Sequence, residues 1–414
     1  MDPTGEPFLL GINYWPRKKA TFWWAQFDAG EVREEFGMIA DLGLKVVRFF
    51  LLWESFMPDP HTVDPTMLRR LVEVADIAHG LGLQVQPTLF TGHMSGPNWA
   101  PPWLWTDTPV RPGEKQNLSL TRPDYPGHRI HNIYTTDWVI DAERLLIREV
   151  CGALRGHPAV WGYSLGNEPD LFCRPPTARE GRAWVRDRVA DLRAAAGPGP
   201  RTLIGLHTAS LDSDVGLRVS DIALETDVSV MHGYSMFSQV ARHKLDSDYV
   251  PFACALTAAL AGRPVLFEEF GICCWDPSLG PGEGRYAEMP RWDGSIRREY
   301  IASEEQAAEY YEAVLHKLHR VGALGAFAWG FMSYDPSIWD REPCNRQVHE
   351  RFFGLWRSDG TLRPMGQVVG RFARARPVVR PPERTVRLDV SADTYYTDPL
   401  HHQKRLYAQW GTLD

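Results

Sequence analysis

Val160-Trp161-Gly162-Tyr163-Ser164-Leu165 is a short run rich in aliphatic and aromatic residues that stops on Gly166-Asn167-Glu168-Pro169, the form of a buried strand. Seven further runs on either side share that form: Phe8–Asn13, Val46–Phe50, Leu83–Leu89, Thr202–Leu206, Val228–His232, Pro264–Glu269 and Gly325–Trp329. Helical periodicity fills much of the chain between them, at Gly30–Leu42, Pro65–Gly80, Trp138–Leu154, Ala178–Ala195, Val250–Ala261, Ser303–Val321 and Met365–Ala373. Alternation of this kind predicts repeated βα units and a parallel sheet. Eight strands are the number that closes a (β/α)8 TIM barrel, so the predicted class is α/β.

Two connections are too long for simple turns. Residues 91–137, with Gly96-Pro97-Asn98-Trp99-Ala100-Pro101-Pro102-Trp103, and residues 271–302 both read as long βα loops, a length that compact domains usually reserve for function. The stretch between the fifth and sixth strands has no clear assignment. The barrel is expected over 1–373, and Pro377-Val378-Val379-Arg380-Pro381-Pro382 then reads as a linker into a short C-terminal extension, 374–414. Thr385–Ala392 alternates apolar and polar residues in the manner of a strand. A tail this short does not fold unaided, so it is expected to pack on the barrel.

Composition narrows the function classes. The 414 residues are 44% hydrophobic and 23% charged, ordinary for a folded protein. A net charge of -7 without a basic tract argues against nucleic acid as a partner. No apolar run approaches the ~20 residues that span a bilayer, and the first residues show no signal peptide, so the expectation is a cytoplasmic protein, or a secreted one if a signal was trimmed. Cysteines 151, 173, 254, 273, 274 and 344 have no CxxC or finger spacing and are expected to be free thiols. The 16 tryptophans suggest surfaces that stack on ring-shaped ligands such as sugars.

In such a barrel the residues just past each strand form the site. The fourth strand ends in Asn167-Glu168-Pro169 and the seventh in Glu268-Glu269-Phe270-Gly271, so two carboxylates face one barrel mouth. Cleaving a glycosidic bond needs such a pair: a proton for the leaving oxygen and negative charge beneath the anomeric carbon. A separation near 5 Å gives retention and a wider one inversion. Glu268 competes with Glu269, and strand alternation, which puts Glu269 on the face of Val265 and Phe267, favours Glu269.

These motifs resemble glycoside hydrolase clan A, most of all family 5, over about residues 8–373, together with Arg48, His232, Tyr234 and Trp329 in matching positions. The resemblance implies a retaining mechanism with Glu168 as general acid/base and Glu269 as nucleophile. It implies that Arg48 and Tyr234 hydrogen-bond the nucleophile and keep it ionised. Asn167 would bind the sugar 2-hydroxyl, His232 would contact the acid/base, and Trp329 would be the floor under the reacting sugar. An arginine inside an apolar strand needs a buried partner, and a catalytic carboxylate supplies one.

The other candidates are weaker. His93 is expected to line the sugar site, and His207 serves equally well as a hydrogen-bonded core residue. The first strand lacks the His-x-His of metal-dependent barrel hydrolases, so no metal and no cofactor are expected. Trp53 and Trp275 are expected to bind substrate, and the loop residues Trp99, Trp103 and Trp105 are candidates for sugar subsites. Glu54 reads as a loop ion-pair residue or a hydroxyl ligand. Cys273 and Cys274 are expected to pack beneath the cleft. Gly11-Ile12-Asn13-Tyr14-Trp15, Phe50-Leu51-Leu52-Trp53 and Phe267-Glu268-Glu269-Phe270-Gly271 resemble mannan-active members, which implies a β-linked oligosaccharide substrate, first a β-1,4-mannoside. A β-glucoside or β-galactoside, endo-glucanase action, a metal-dependent hydrolase and a non-catalytic carbohydrate-binding barrel are the alternatives. Tyr395, Tyr396 and Trp410 in the tail suggest aromatic surface for a homo-oligomer contact.

Overall fold

The computed structural model describes residues 3–111, 114–121, 128–279, 286–290 and 295–413. Eight parallel strands form one sheet: β1 (Leu9–Asn13), β2 (Val46–Leu52), β3 (Gln84–Thr91), β4 (Gly162–Asn167), β5 (Arg201–Gly205), β6 (Ser229–His232), β7 (Val265–Phe270) and β8 (Gly325–Ala328). They are ordered β6-β7-β8-β1-β2-β3-β4-β5. The ring closes between β5 and β6, where His207 bridges His232 and the His232 N–H donates to the Leu206 carbonyl at 2.7 Å. The helices wrapped outside are α1 (Ala29–Leu42), α2 (Pro65–Gly80), α3 (Asp137–Ala153), α4 (Ala178–Ala196), α5 (Tyr249–Ala261), α6 (Glu304–Arg320) and α7 (Pro364–Arg374). This is a (β/α)8 barrel.

Local chemistry sets the helix ends. Asp28 caps α1 by accepting from the Gly30 and Glu31 amides, and α1 stops at Gly43 in the left-handed conformation. Asp64 and Pro65 start α2. Ser303 and Gln306 form a reciprocal capping box on α6.

The barrel interior changes character along its axis. Low in the barrel Val46, Leu203, Val230, Leu266 and Phe327 form an apolar plug. Gly11 is required there, because a Cβ would sit 2.5 Å from the Phe327 ring. Two residues further along the same inward faces come Asn13, Arg48, Glu268 and His232, all buried. This polar layer is the base of the site.

Bulges decide which side chains reach the mouth. On β7, Met231 of β6 pairs with Phe267 but His232 pairs with Glu269, and against β8 the pairing jumps from Phe267 to Phe270. One extra residue is thereby inserted at Glu268–Glu269. Strict alternation would send Glu269 outward with Val265 and Phe267; the bulge turns it inward instead. Glu269 therefore reaches the mouth through the bulge and not through the pleat alternation expected of an unbroken strand. β4 carries the same device before Asn167, where pairing with β5 jumps from Ser164↔Leu203 to Asn167↔Gly205.

Between β5 and β6 stand two short helical turns, Ala209–Asp212 and Val219–Ile222. The tail differs from expectation. Thr385–Ala392 forms no strand, since no sheet edge pairs with it, and the extension instead ends in α8 (Pro399–Trp410). It is fixed to the barrel: the Tyr395 hydroxyl donates to the Leu211 carbonyl, Tyr396 to Ser210, and Trp410 packs on Phe252 of α5. All three aromatics are buried, so they offer no surface for a subunit contact. All six cysteines are unpaired, and Cys273 and Cys274 are buried. No helix among the described residues is long and apolar enough to cross a membrane.

Candidate active site

A cavity of about 240 Å³ opens at the C-terminal ends of the strands. Its lining includes Asn167, Glu168, His232, Tyr234, Glu269 and Trp329. Glu168 follows β4 directly with φ 46°, a left-handed conformation costly for a residue with a side chain, and Pro169 begins a helical turn after it. Its amide donates to the Gly205 carbonyl at 2.9 Å, which fixes the carboxylate over the β4–β5 edge.

Arg48 organises the opposite side. It is fully buried and donates to Glu269, to Asn13 Oδ1 at 2.8 Å and to Asn167 Oδ1 at 2.8 Å. The Tyr234 hydroxyl donates to Glu269 Oε2 at 2.9 Å. His232 stands between the carboxylates: its Nδ1 lies 3.0 Å from Glu168 Oε1 and 3.4 Å from Glu269 Oε1. One oxygen of Glu168, one of Glu269 and a His232 nitrogen all fall within 4.8 Å of one another.

Burial raises the proton affinity of every carboxyl here, and neighbouring charges decide the outcome. At Glu168 burial is outweighed by His207 and by the hydrogen bond and charge of His232, which hold the carboxyl well below the usual range. At Glu269 burial, together with the negative charge of Glu168, outweighs His232 and Arg48, so its affinity is raised. His232 would be lowered by burial, but Glu269, Glu168 and Glu268 lift it to about 9. The 3.0 Å contact between His232 Nδ1 and Glu168 Oε1 holds one shared proton, and these directions favour its residence on His232. Arg48 and Tyr234 hydrogen-bond Glu269, as the resemblance implies.

Several sequence candidates fall elsewhere. Trp53 is fully buried under the β2–β3 side, with its ring on Phe90 and Trp103 and its Nε1–H directed at Met57 Sδ, and it does not line the cavity. Trp275 packs on Phe352 outside the lining. Trp99, Trp103 and Trp105 are also absent from it; Trp103, for example, donates to the Met57 carbonyl. Trp99 is buried and donates to the Met94 carbonyl at 3.2 Å, and Trp103 packs on Trp53. Glu54 is buried against Ser119 and Thr121. His93 does line the cavity. Its Nδ1 is 2.8 Å from Asn98, and burial holds its ring neutral, with a pKa of about 3.

His207, which the sequence placed as readily among hydrogen-bonded core residues, lines the cavity too, whereas Lys115 and Glu350 escaped the sequence reading. His207 bonds both oxygens of Asp170, at 3.1 and 3.0 Å. Lys115, from the long loop, places its ammonium 3.1 Å from His93 Nε2. Glu350 accepts from Trp329 Nε1 at 3.3 Å, and burial pushes its carboxyl up to about 7. Lys115 and Glu350 lie in loops without strand periodicity, so nothing local marked them. Asp170, three residues after Asn167 in Asn167-Glu168-Pro169-Asp170, was the one available signal.

Glu168, His232 and Glu269 are the only His/Cys/Asp/Glu grouping among the described residues compact enough to be considered for a metal. They do not fit one. Arg48 and Tyr234 occupy the Glu269 oxygens, and His232 and His207 set positive charge beside Glu168.

No family model and no curated protein matches the chain. Solved structures do. A GH5_18 variant from Streptomyces cattleya, in complex with Manβ1-4GlcNAc, superposes with a TM-score of 0.74 at 21% identity, covering 98% of this chain and 92% of that one. The exo-β-1,4-mannosidase Op5Man5 from Opitutaceae bacterium strain TAV5 gives 0.70 at 24% identity, with 90% of this chain and 60% of that one covered. The endo-β-1,4-mannanase from Thermotoga petrophila gives 0.59 at 13% identity, with 90% and 77% covered. Likeness at these identities establishes a shared fold.

Proposed function

We propose that the protein is a retaining β-glycoside hydrolase that removes single β-mannosyl units from short β-1,4-linked oligosaccharides. The observation that carries this reading is the approach of Glu168 and Glu269 oxygens to within 4.8 Å across the barrel mouth. Inverting pairs stand about 6.5–9.5 Å apart to admit a water, whereas retaining pairs stand near 5 Å. Glu269, held by Arg48 and Tyr234, attacks the anomeric carbon; Glu168 protonates the leaving oxygen and then deprotonates the water that releases the sugar. When the shared proton passes from His232 to Glu168, the charges of both partners are neutralised together, and Arg48 and Tyr234 remain as the donors that hold the Glu269 carboxylate. Trp329 supplies the stacking floor and Asn167 a donor for a sugar hydroxyl.

Action on a short substrate is supported by the walls. The antiparallel pair Tyr286–Pro290 and Ile296–Tyr300 stands beside the turn Val348–Phe352, which contributes His349 and Glu350 to the lining. Among the neighbours with TM-scores of 0.70 and above, one is an exo-β-1,4-mannosidase and another is a complex with Manβ1-4GlcNAc. A cytoplasmic site of action on imported oligosaccharides belongs to the same proposal.

The test is release of p-nitrophenol from β-mannoside, β-glucoside, β-galactoside and β-xyloside in the presence of a chelator. Release from the mannoside alone, unaffected by chelator, is expected. Intact aryl glycosides and intact mannan and cellulose oligomers would instead identify a carbohydrate-binding barrel.

A further inference from the structure

Glu268, the neighbour of the proposed nucleophile, has no part in the mechanism above, yet it is fully buried beneath the site. A buried carboxylate is costly unless several donors serve it. Gln86 donates to its Oε1, and His232 Nε2 lies 2.9 Å from its Oε2. Simple pairing with Arg48 does not account for this arrangement. The Arg48 Nε is 3.4 Å from Glu268 Oε1 and makes no hydrogen bond, while the guanidinium's NH groups go to Glu269, Asn13 and Asn167. The better bond of Glu268 is the one to the imidazole.

The proton count follows from the geometry. Arg48 and His232 keep Glu268 ionised against the effect of burial, so the His232 Nε2 carries a hydrogen directed at it. The 3.0 Å contact between His232 Nδ1 and Glu168 Oε1 then holds one proton. It resides on Nδ1, giving imidazolium and carboxylate, or on Oε1, giving neutral imidazole and carboxylic acid. We infer that Glu268 is a positioning residue which, through His232, keeps this catalytic proton stored beside Glu168. The inference rests on the glycosidase reading. In the first step the proton leaves the pair for the glycosidic oxygen, which departs as an alcohol. In the second step the attacking water gives a proton back through Glu168, and the pair is restored.

Other charges face His232 as well: Glu168 from the end of β4, His207 from the end of β5, Glu269 from β7 and Arg48 from β2. Glu268 does not line the cavity and reaches the catalytic pair through His232 Nε2, so its removal tests storage apart from binding. In E268Q the pair loses an anion at hydrogen-bond distance and releases its proton more readily. The alkaline limb of the kcat/KM profile is expected to move down by about one pH unit or more. The loss is expected to be larger for aryl mannosides with poor leaving groups than for dinitrophenyl mannoside, which needs no acid. The His232 ring resonances, followed by NMR, are expected to titrate lower by a similar amount.

A uniform fall in kcat with an unmoved limb and unchanged His232 titration would overturn the inference and leave Glu268 a packing residue. Should E268Q fail to fold, Q86L, which removes one donor to Glu268 and leaves its charge more to the imidazole, is expected to shift the same limb upward by less; no shift overturns the idea. An inert wild-type protein would sink the glycosidase reading, and the NMR comparison would still decide whether Glu268 governs the proton on His232.

Discussion

Glu269 carries the most specific consequence at the scale of single residues. Glu269→Ala is expected to lower activity on aryl mannoside by ~10⁴-fold or more, with azide restoring turnover as the glycosyl azide of inverted configuration. Loss without rescue would assign Glu269 a structural place. Arg48 is fully buried with four partners or neighbours on β1, β4 and β7. Arg48→Met leaves carboxylates uncompensated, and a loss of about 3–5 kcal/mol is expected in chemical denaturation. Glu350 gives a pH test. Its folded affinity, raised to about 7, exceeds that of an unfolded carboxylate. Its contribution is therefore full below the ordinary carboxylate range and is lost as pH rises through about 7. Glu350→Gln should match the wild type in stability near pH 4 and exceed it above pH 7, by up to about 3 kcal/mol. Equal denaturation midpoints at both pH values would contradict this.

Among the elements, the bulges on β4 and β7 do what the strand pattern alone cannot. They insert one residue just before each glutamate and turn both side chains over the same opening. The β5–β6 seam has its own constraint. A Cβ on Gly205 would lie 2.8 Å from His232 Cε1, so Gly205→Ala pushes the imidazole away from its carboxylates. The expected result is a loss of about 1–3 kcal/mol and a fall in kcat with KM little changed. A variant with wild-type kcat would show that the ring tolerates the displacement. Asn167-Glu168-Pro169 and Glu269-Phe270-Gly271 were legible because they end strands whose apolar runs are unambiguous. Lys115 and Glu350 were not, since their approach depends on how long loops fold back over the barrel.

For the whole molecule, the extension after Arg374 belongs to the stability of the barrel. Asp246 accepts from the Tyr407 hydroxyl at 2.7 Å, and Asp248 accepts from the Leu413 amide at 3.1 Å and from Lys317. Truncation before α8 uncovers Phe252, which Tyr407 and Trp410 cover. A drop of several degrees in Tm is expected from the apolar area exposed. An unchanged Tm would make the tail dispensable.

The sequence by itself determined the eightfold βα repeat, the strand ends and the two glutamates, because periodicity and turn residues are local and the barrel's chemistry sits where strands stop. Only the tertiary structure decided the rest: the 4.8 Å grouping of Glu168, His232 and Glu269, the burial of Trp53 and of the tail aromatics, and the bond from His232 to Glu268. Those are properties of residues far apart in the chain. Their distances and charges follow from bulges, loop paths and packing, which no single stretch of sequence encodes.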